Sequence, residues 1–455
     1  MKAAVQKNID FTEGDVWKKL LIFILPILAG NILQQLYVTV DAVIIGKYAG
    51  KSGLAAIDSV HALLKLPVLF LTGLSTGATV IISRYCGAKE KTKLQAAVHT
   101  AFCFAGCGGV LTGLAGVIGA PLMLDFISVP AGIYDHALSY VRIYFAGFTC
   151  MMIYNIGAGI LRAAGDSKTP LYVLILSCFI NIVLDIIFVA VLKRHTAGAA
   201  LATTIAQSIS AVFTVALLLK SKSGAKLYFT KIRFYAQELK LIIQSGLPIG
   251  IQSALYPFAN ILIQSGINAL GTDNIAAWAL CGKLDFLIWV SADSIAAAVS
   301  VFSAQNHGAQ KIGRIKRGTL CGIVLSVCTV SLISIVLYTC SGTLAKLFIS
   351  QTDHDIIAGT VRIMRFIAPF YVCYAFGDIF DAAIRGSGKT FTAMLVTLIT
   401  VCGTRIVWMT AVASDGASLR LILLSYPLSW ILHSLAFGIY YFIHGKIHAK
   451  HTVNV

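Results

Sequence analysis

The chain has 455 residues, of which 58% are hydrophobic and only 12% charged, and its mean hydropathy is +0.83. Ordinary globular domains carry roughly a quarter charged residues, so there is too little polar surface here to cover a water-soluble body of this size. The net charge of +17 raises a nucleic-acid reading, which the placement of the cations argues against.

A bilayer crossing needs roughly 20 apolar residues, and such stretches recur along the whole chain with no soluble domain between them. In chain order they predict helical spans over 17–45, 54–84, 94–120, 133–161, 170–192, 197–219, 240–269, 275–305, 318–344, 357–384, 391–413 and 419–443. The expected fold class is therefore an all-α polytopic membrane protein of about twelve transmembrane helices. The opening MKAAVQKNIDFTEGDVWKKL has no small-residue cleavage site after its first apolar run, so the first helix is expected to stay. Thr12, with Asp15 three residues on, fits a capping start for that helix.

With the N-terminus placed in the cytoplasm, the outer loops hold only Lys47, Lys51, Lys193, Arg194, Lys346 and Arg420. The other loop cations, among them Lys89, Lys91, Lys93, Lys231, Arg233, Lys316 and Arg317, gather on the opposite face. That bias is the one expected of a cytoplasmic-membrane protein with both termini inside, and it leaves no nucleic-acid partner to expect. The eleven cysteines lie mostly within apolar spans, without the loop spacing of a disulfide framework or zinc site. His444, His448 and His451 read as a solvated basic tail.

The chain also aligns with itself. The segment from Tyr140, YVRIYFAGFTCMMIYNIGAGILRAAGDSKT, matches the one from Thr360, pairing Arg142 with Arg362 and Arg162 with Arg385. A similar offset carries Leu25-Pro26 onto Leu247-Pro248 and Gly87-Ala88 onto Gly308-Ala309. Such matches point to duplication. An even number of spans per copy gives both halves one orientation, related by a pseudo-twofold axis along the membrane normal. The expected organisation is an N-terminal six-helix bundle over 1–220, a basic linker over 221–240 and a C-terminal bundle over 241–455. Gly386-Ser387-Gly388-Lys389-Thr390 resembles the end of a phosphate-binding loop, but Ala383 stands where that motif needs glycine and no strand precedes it.

A carboxylate at membrane depth costs several kcal/mol unless it is protonated, paired or watered, so each one is a candidate functional group. Asp41 lies in the first span downstream of Pro26, whose missing amide hydrogen can bend that helix. Asp185 lies in the fifth span with Asn181 one turn before it. The sixth span opens with Gly198, Ala199 and Ala200, which permit close packing, followed by Thr203. Together Asp41, Asn181, Asp185 and Thr203 read as a pocket for a proton or small hard cation, the alternative being hydrogen bonds between helices. The second half has Ile263 and Trp408 where the repeat places the two aspartates. It offers instead Lys283, Asp285 and Asp293 in the eighth span, Asp378 and Asp381 in the tenth and Arg405 in the eleventh. Lys283 with Asp285, and Arg405 with Asp378 or Asp381, are candidate neutralising pairs.

The opening FTEGDVWKKLLIFILPILAGNILQQLYVTVDAVIIGKYAGKSGLAAI, the GILRAAGDSKTP turn and the GAALAT start of the sixth span resemble the multidrug and toxic compound extrusion (MATE) family over both halves. Because Tyr256 stands where one branch carries a glutamate, the chain looks nearer the DinF-like branch. The resemblance implies a V-shaped pair of six-helix bundles and proton- or sodium-coupled export of organic cations, with no cofactor beyond the coupling ion. It implies an ion site at Asp41, Asn181, Asp185 and Thr203, and a polar lining from Gln34, Tyr37, Tyr140 and Asn155, to which Asp378 and Asp381 are added from the second half. The expected partners are small amphipathic or cationic molecules and the bilayer, and the expected state is a monomer. The alternative is a flippase for lipid-linked oligosaccharides, which should show several arginines in its cavity. An enzyme is not expected, since no nucleophile–base pair or metal set stands out.

Overall fold

The computed structural model describes residues 8–221, 223–350, 352–413 and 417–447, so His448 and His451 of the expected basic tail lie outside the described residues. Among the described residues every regular element is a helix. Eleven helices are long and apolar enough to cross a membrane, and a bent pair makes up to twelve. In order, the spans are Val16–Tyr48, Gly50–Ala88, Lys91–Phe126, the bent pair Ala131–Ala146 and Phe148–Ala163, Lys168–Val191 and His195–Lys220. The second six are Ala236–Asn268, Phe286–Gly308, Ile312–Ala345, His354–Gly386, Thr390–Ala411 and Leu419–Ile443. The helix Thr272–Leu284 leads into the eighth.

Local chemistry explains the ends and irregularities. The first span is capped by Asp15, whose Oδ1 accepts the Lys18 amide at 2.7 Å. Thr12, the expected cap, instead donates its hydroxyl to Asp10 Oδ1 at 2.6 Å. Pro26 is buried inside a helix that runs without interruption from Val16 to Tyr48. The fourth span bends by 46° at Gly147, where a Cβ would lie 2.8 Å from Thr204 Oγ1. The tenth is interrupted by a 3-10 turn over Ala368–Phe370, because Pro369 has no amide hydrogen to continue the helical ladder. The fifth and eleventh spans each contain a six-residue π-helical segment, Ile186–Val191 and Leu398–Gly403.

Two compact units emerge. One comprises Leu21–Gly250 with the described residues up to Glu13, and the other Ile251 onward with Gly14–Leu20. The first unit's core joins Ile45, Val60, Phe145, Phe148, Met152 and Ile160. The second is dominated by aromatics: Trp430 lies 5.3 Å from Tyr371 and 5.9 Å from Trp289, ring centre to ring centre. The Gly386–Thr390 turn follows directly on the helix ending at Gly386, so a helix stands where a phosphate-binding loop needs a strand.

Candidate functional site

The first unit gathers most of its sequence-predicted residues. Asp185 is the last residue of the α-helical part of the fifth span, immediately before the π segment. Such segments widen the helix and often accompany functional groups. The sixth span fits against this irregular turn because Gly198 has no side chain; a Cβ there would lie 3.0 Å from the Phe188 carbonyl carbon. Ala199 and Ala200 beside it are fully buried.

Asp185 is 0% exposed and Asn181, one turn before it, 1%. The Asp185 carboxyl faces that of Asp41 within hydrogen-bonding reach, joining the fifth span to the first. Among the described residues no amide, hydroxyl or cation donates to either Asp185 oxygen or to Asp41 Oδ1, and both polar atoms of the Asn181 amide are likewise unpartnered. Asp185 is fully buried and Asp41 half-buried, and two carboxyls placed this close hold together only by sharing a proton or a cation.

Beside the pair, Tyr37 and Thr203 place their hydroxyl oxygens 3.2 Å apart. Tyr37 and Tyr140 both lie in the electrostatic field of the two aspartates, and Tyr140 stacks on Tyr144 at 6.2 Å. Tyr144 was not singled out from the sequence, although its spacing of four from Tyr140 puts both on one helix face. Gln34 is exposed and Asn155 half-buried, and among the described residues no hydrogen bond joins either to the carboxyl pair.

The second unit corrects two expected pairs. Arg385, not Arg405, serves the tenth-span carboxylates, with Nη2 3.2 Å from Asp381 and 4.0 Å from Asp378. The i,i+4 spacing of Asp381 and Arg385 carries that signal. Lys283 does not pair with Asp285 either. Its ammonium lies 6.0 Å from the Phe348 ring, while Asp285 accepts the Tyr371 hydroxyl at 2.7 Å. Asp293 is exposed on its helix.

Arg405, fully buried, follows the second π segment. It donates from Nε to Ser429 Oγ at 3.1 Å and from Nη1 to Asn260 Oδ1 at 2.5 Å. Its guanidinium lies 4.4 Å from the Tyr426 ring and 5.3 Å from that of Tyr256. Sequence reasoning missed Asn260, Ser429 and Tyr426, which are neutral residues on other helices. A fixed cation beside Tyr256 opposes a second-half sodium site at that position.

Comparison with known proteins gives the family. The MatE family profile matches the chain twice, over residues 26–187 and 248–409. The chain belongs to the MatE family. The double match also reproduces the internal repeat, since its two copies begin at Pro26 and Pro248. This MatE chain is similar to the "Probable multidrug resistance protein YpnP" of Bacillus subtilis, 30% identical and covering 96% of this chain and 97% of that one. It is similar also to the "Probable multidrug resistance protein YoeA" of the same organism, 28% identical over 92% of this chain and 95% of the other. Among solved structures, a MOP superfamily transporter from Pyrococcus furiosus superposes with a TM-score of 0.90 at 20% identity, covering 98% of this chain and 100% of that one. An outward-facing multidrug resistance MATE family transporter gives the same score and identity over 98% and 99%. These structural matches establish the fold, and the family match with the long apolar helices makes the chain a multi-pass membrane protein.

Proposed function

We propose that this MatE protein is a secondary antiporter that exports amphipathic organic compounds, cationic ones among them, and that Asp41 and Asp185 form its ion-coupling site. One observation carries the reading: the fully buried Asp185 carboxyl meets that of Asp41 from another span, and among the described residues no other group neutralises the pair. A proton shared between them satisfies both, which favours the proton over sodium as the coupling ion. Asn181 supplies a free amide beside the pair, and the Tyr37–Thr203 contact ties the first span to the sixth. Loading or removing one proton changes what holds the first span against the fifth, which links ion occupancy to helix position.

Substrate enters this account through the aromatic residues next to the pair, since the half-buried Tyr37 and Tyr144 offer ring faces to an organic cation and the buried Tyr140 backs Tyr144. The relatives' names as multidrug resistance proteins support that substrate class. The positive-inside bias supports a cytoplasmic membrane with both termini inside. The test is transport by purified protein in liposomes with proton and sodium gradients imposed separately. The proton gradient alone should drive substrate movement. Transport driven only by sodium would contradict the assignment of the ion.

A further inference from the structure

The basic segment between the halves is folded onto the first unit. The Tyr228 amide donates to His99 Nε2 at 3.0 Å, and the Tyr235 amide to Thr100 Oγ1 at 3.1 Å. Gln95 Nε2 donates to the carbonyls of Gly224 and Lys226 at 2.6 and 3.1 Å. Held this way, the segment walls a cavity of about 780 Å³ against the start of the third span. Lys91, Lys93, Lys231 and Arg233 line it, with Tyr235 and Glu238.

Among the described residues only Lys93 of the four cations is ion-paired, to Glu90 at 2.7 Å. Lys231 rests 4.9 Å from the Tyr228 ring and Arg233 4.7 Å from that of Tyr235. Ring contacts of this kind position a cation without cancelling its charge. Glu238 is 4% exposed, and among the described residues its Oε2 has no hydrogen-bond partner. The same segment exposes Phe229 (63%) and Phe234 (44%). Several cations at the end of a span attract anionic headgroups, and exposed phenylalanines beside them suit the acyl boundary rather than water.

We propose that this cavity binds the headgroup of an anionic phospholipid, its phosphodiester on Lys91, Lys231 and Arg233 and its headgroup hydroxyl on Glu238. The cations supply the strong phosphate contacts, and the phenylalanines favour a lipid over a soluble phosphate. The site depends on neither the substrate nor the coupling ion, so its test does not use transport.

The experiment measures phosphatidylglycerol retained by purified protein, using native mass spectrometry after equilibration in mixed phosphatidylglycerol–phosphatidylcholine micelles. Wild type should retain phosphatidylglycerol selectively, and Lys231→Gln with Arg233→Gln should lower that retention about tenfold. Lys316→Gln with Arg317→Gln, basic residues outside the cavity, should leave it unchanged. Lys231→Gln alone, a milder change, should give a partial loss, which keeps the idea testable if the double variant does not fold. Equal loss in both double variants would show diffuse surface charge and overturn the site. Absence of any preference for phosphatidylglycerol would overturn it as well, as would displacement by millimolar inorganic phosphate.

Discussion

The Tyr37 hydroxyl lies 3.2 Å from Thr203 Oγ1, tying the first span to the sixth beside the Asp41–Asp185 pair. A neutral hydrogen bond of this kind is worth about 1 kcal/mol net. Tyr37→Phe removes it while keeping the ring, so gradient-driven export should fall about fivefold with the thermal unfolding midpoint in detergent little changed. Loss of folded protein would instead make the contact structural. Thr203→Val should reproduce the effect, and the double variant should add little to either single one.

The Arg385–Asp381–Asp378 cluster calls for a double-mutant cycle. Arg385→Gln leaves two buried carboxylates without their cation, a loss of about 3–5 kcal/mol by comparison with other broken buried pairs. Adding Asp381→Asn removes one of those charges and should recover part of the lost stability, measured as the unfolding midpoint in detergent. Additive losses would show that the 3.2 Å contact does not couple the two side chains.

Arg405 makes a different prediction, because its partners are neutral. Arg405→Leu removes the donor to both Asn260 Oδ1 and Ser429 Oγ, and should lower stability by about 2 kcal/mol. Asp378→Asn should not rescue it, since that carboxylate belongs to Arg385. Rescue by Asp378→Asn would restore the pairing that the structure replaces.

The twelve spans were legible because a bilayer demands long apolar runs, and the repeat because Pro26 and Pro248 survive in both copies. Asp41 and Asp185 were legible for the same reason, as carboxylates conspicuous in apolar sequence. Pairings in the second half were not. Whether Arg385 or Arg405 meets Asp378 depends on how each helix is rotated, and the charges alone do not reveal that. Asn260 is neutral and far from Arg405 in sequence, so nothing marked it as a partner. The π segments at Ile186–Val191 and Leu398–Gly403 left no compositional trace either, although each adjoins a key charged residue.

Topology is tested independently. A cysteine introduced near Asp273, an exposed residue at the start of the helix before the eighth span, should be labelled by an impermeant reagent in intact cells. A tag at either terminus should be protected. Protection of the Asp273 site would reverse the orientation.

The central claim is that Asp41 and Asp185 share the coupling ion, and the most direct measurement is gradient-driven export by liposomes containing single asparagine variants. Asparagine keeps the shape of a protonated aspartate but cannot exchange its proton. Asp41→Asn and Asp185→Asn should each insert normally and lose gradient-driven export along with the wild-type pH profile, whereas Asp285→Asn, whose carboxyl is held by Tyr371, should lose less. Export by both first-half variants at wild-type rates with an unchanged pH profile would contradict the account and move the coupling site to the carboxylates of the eighth and tenth spans.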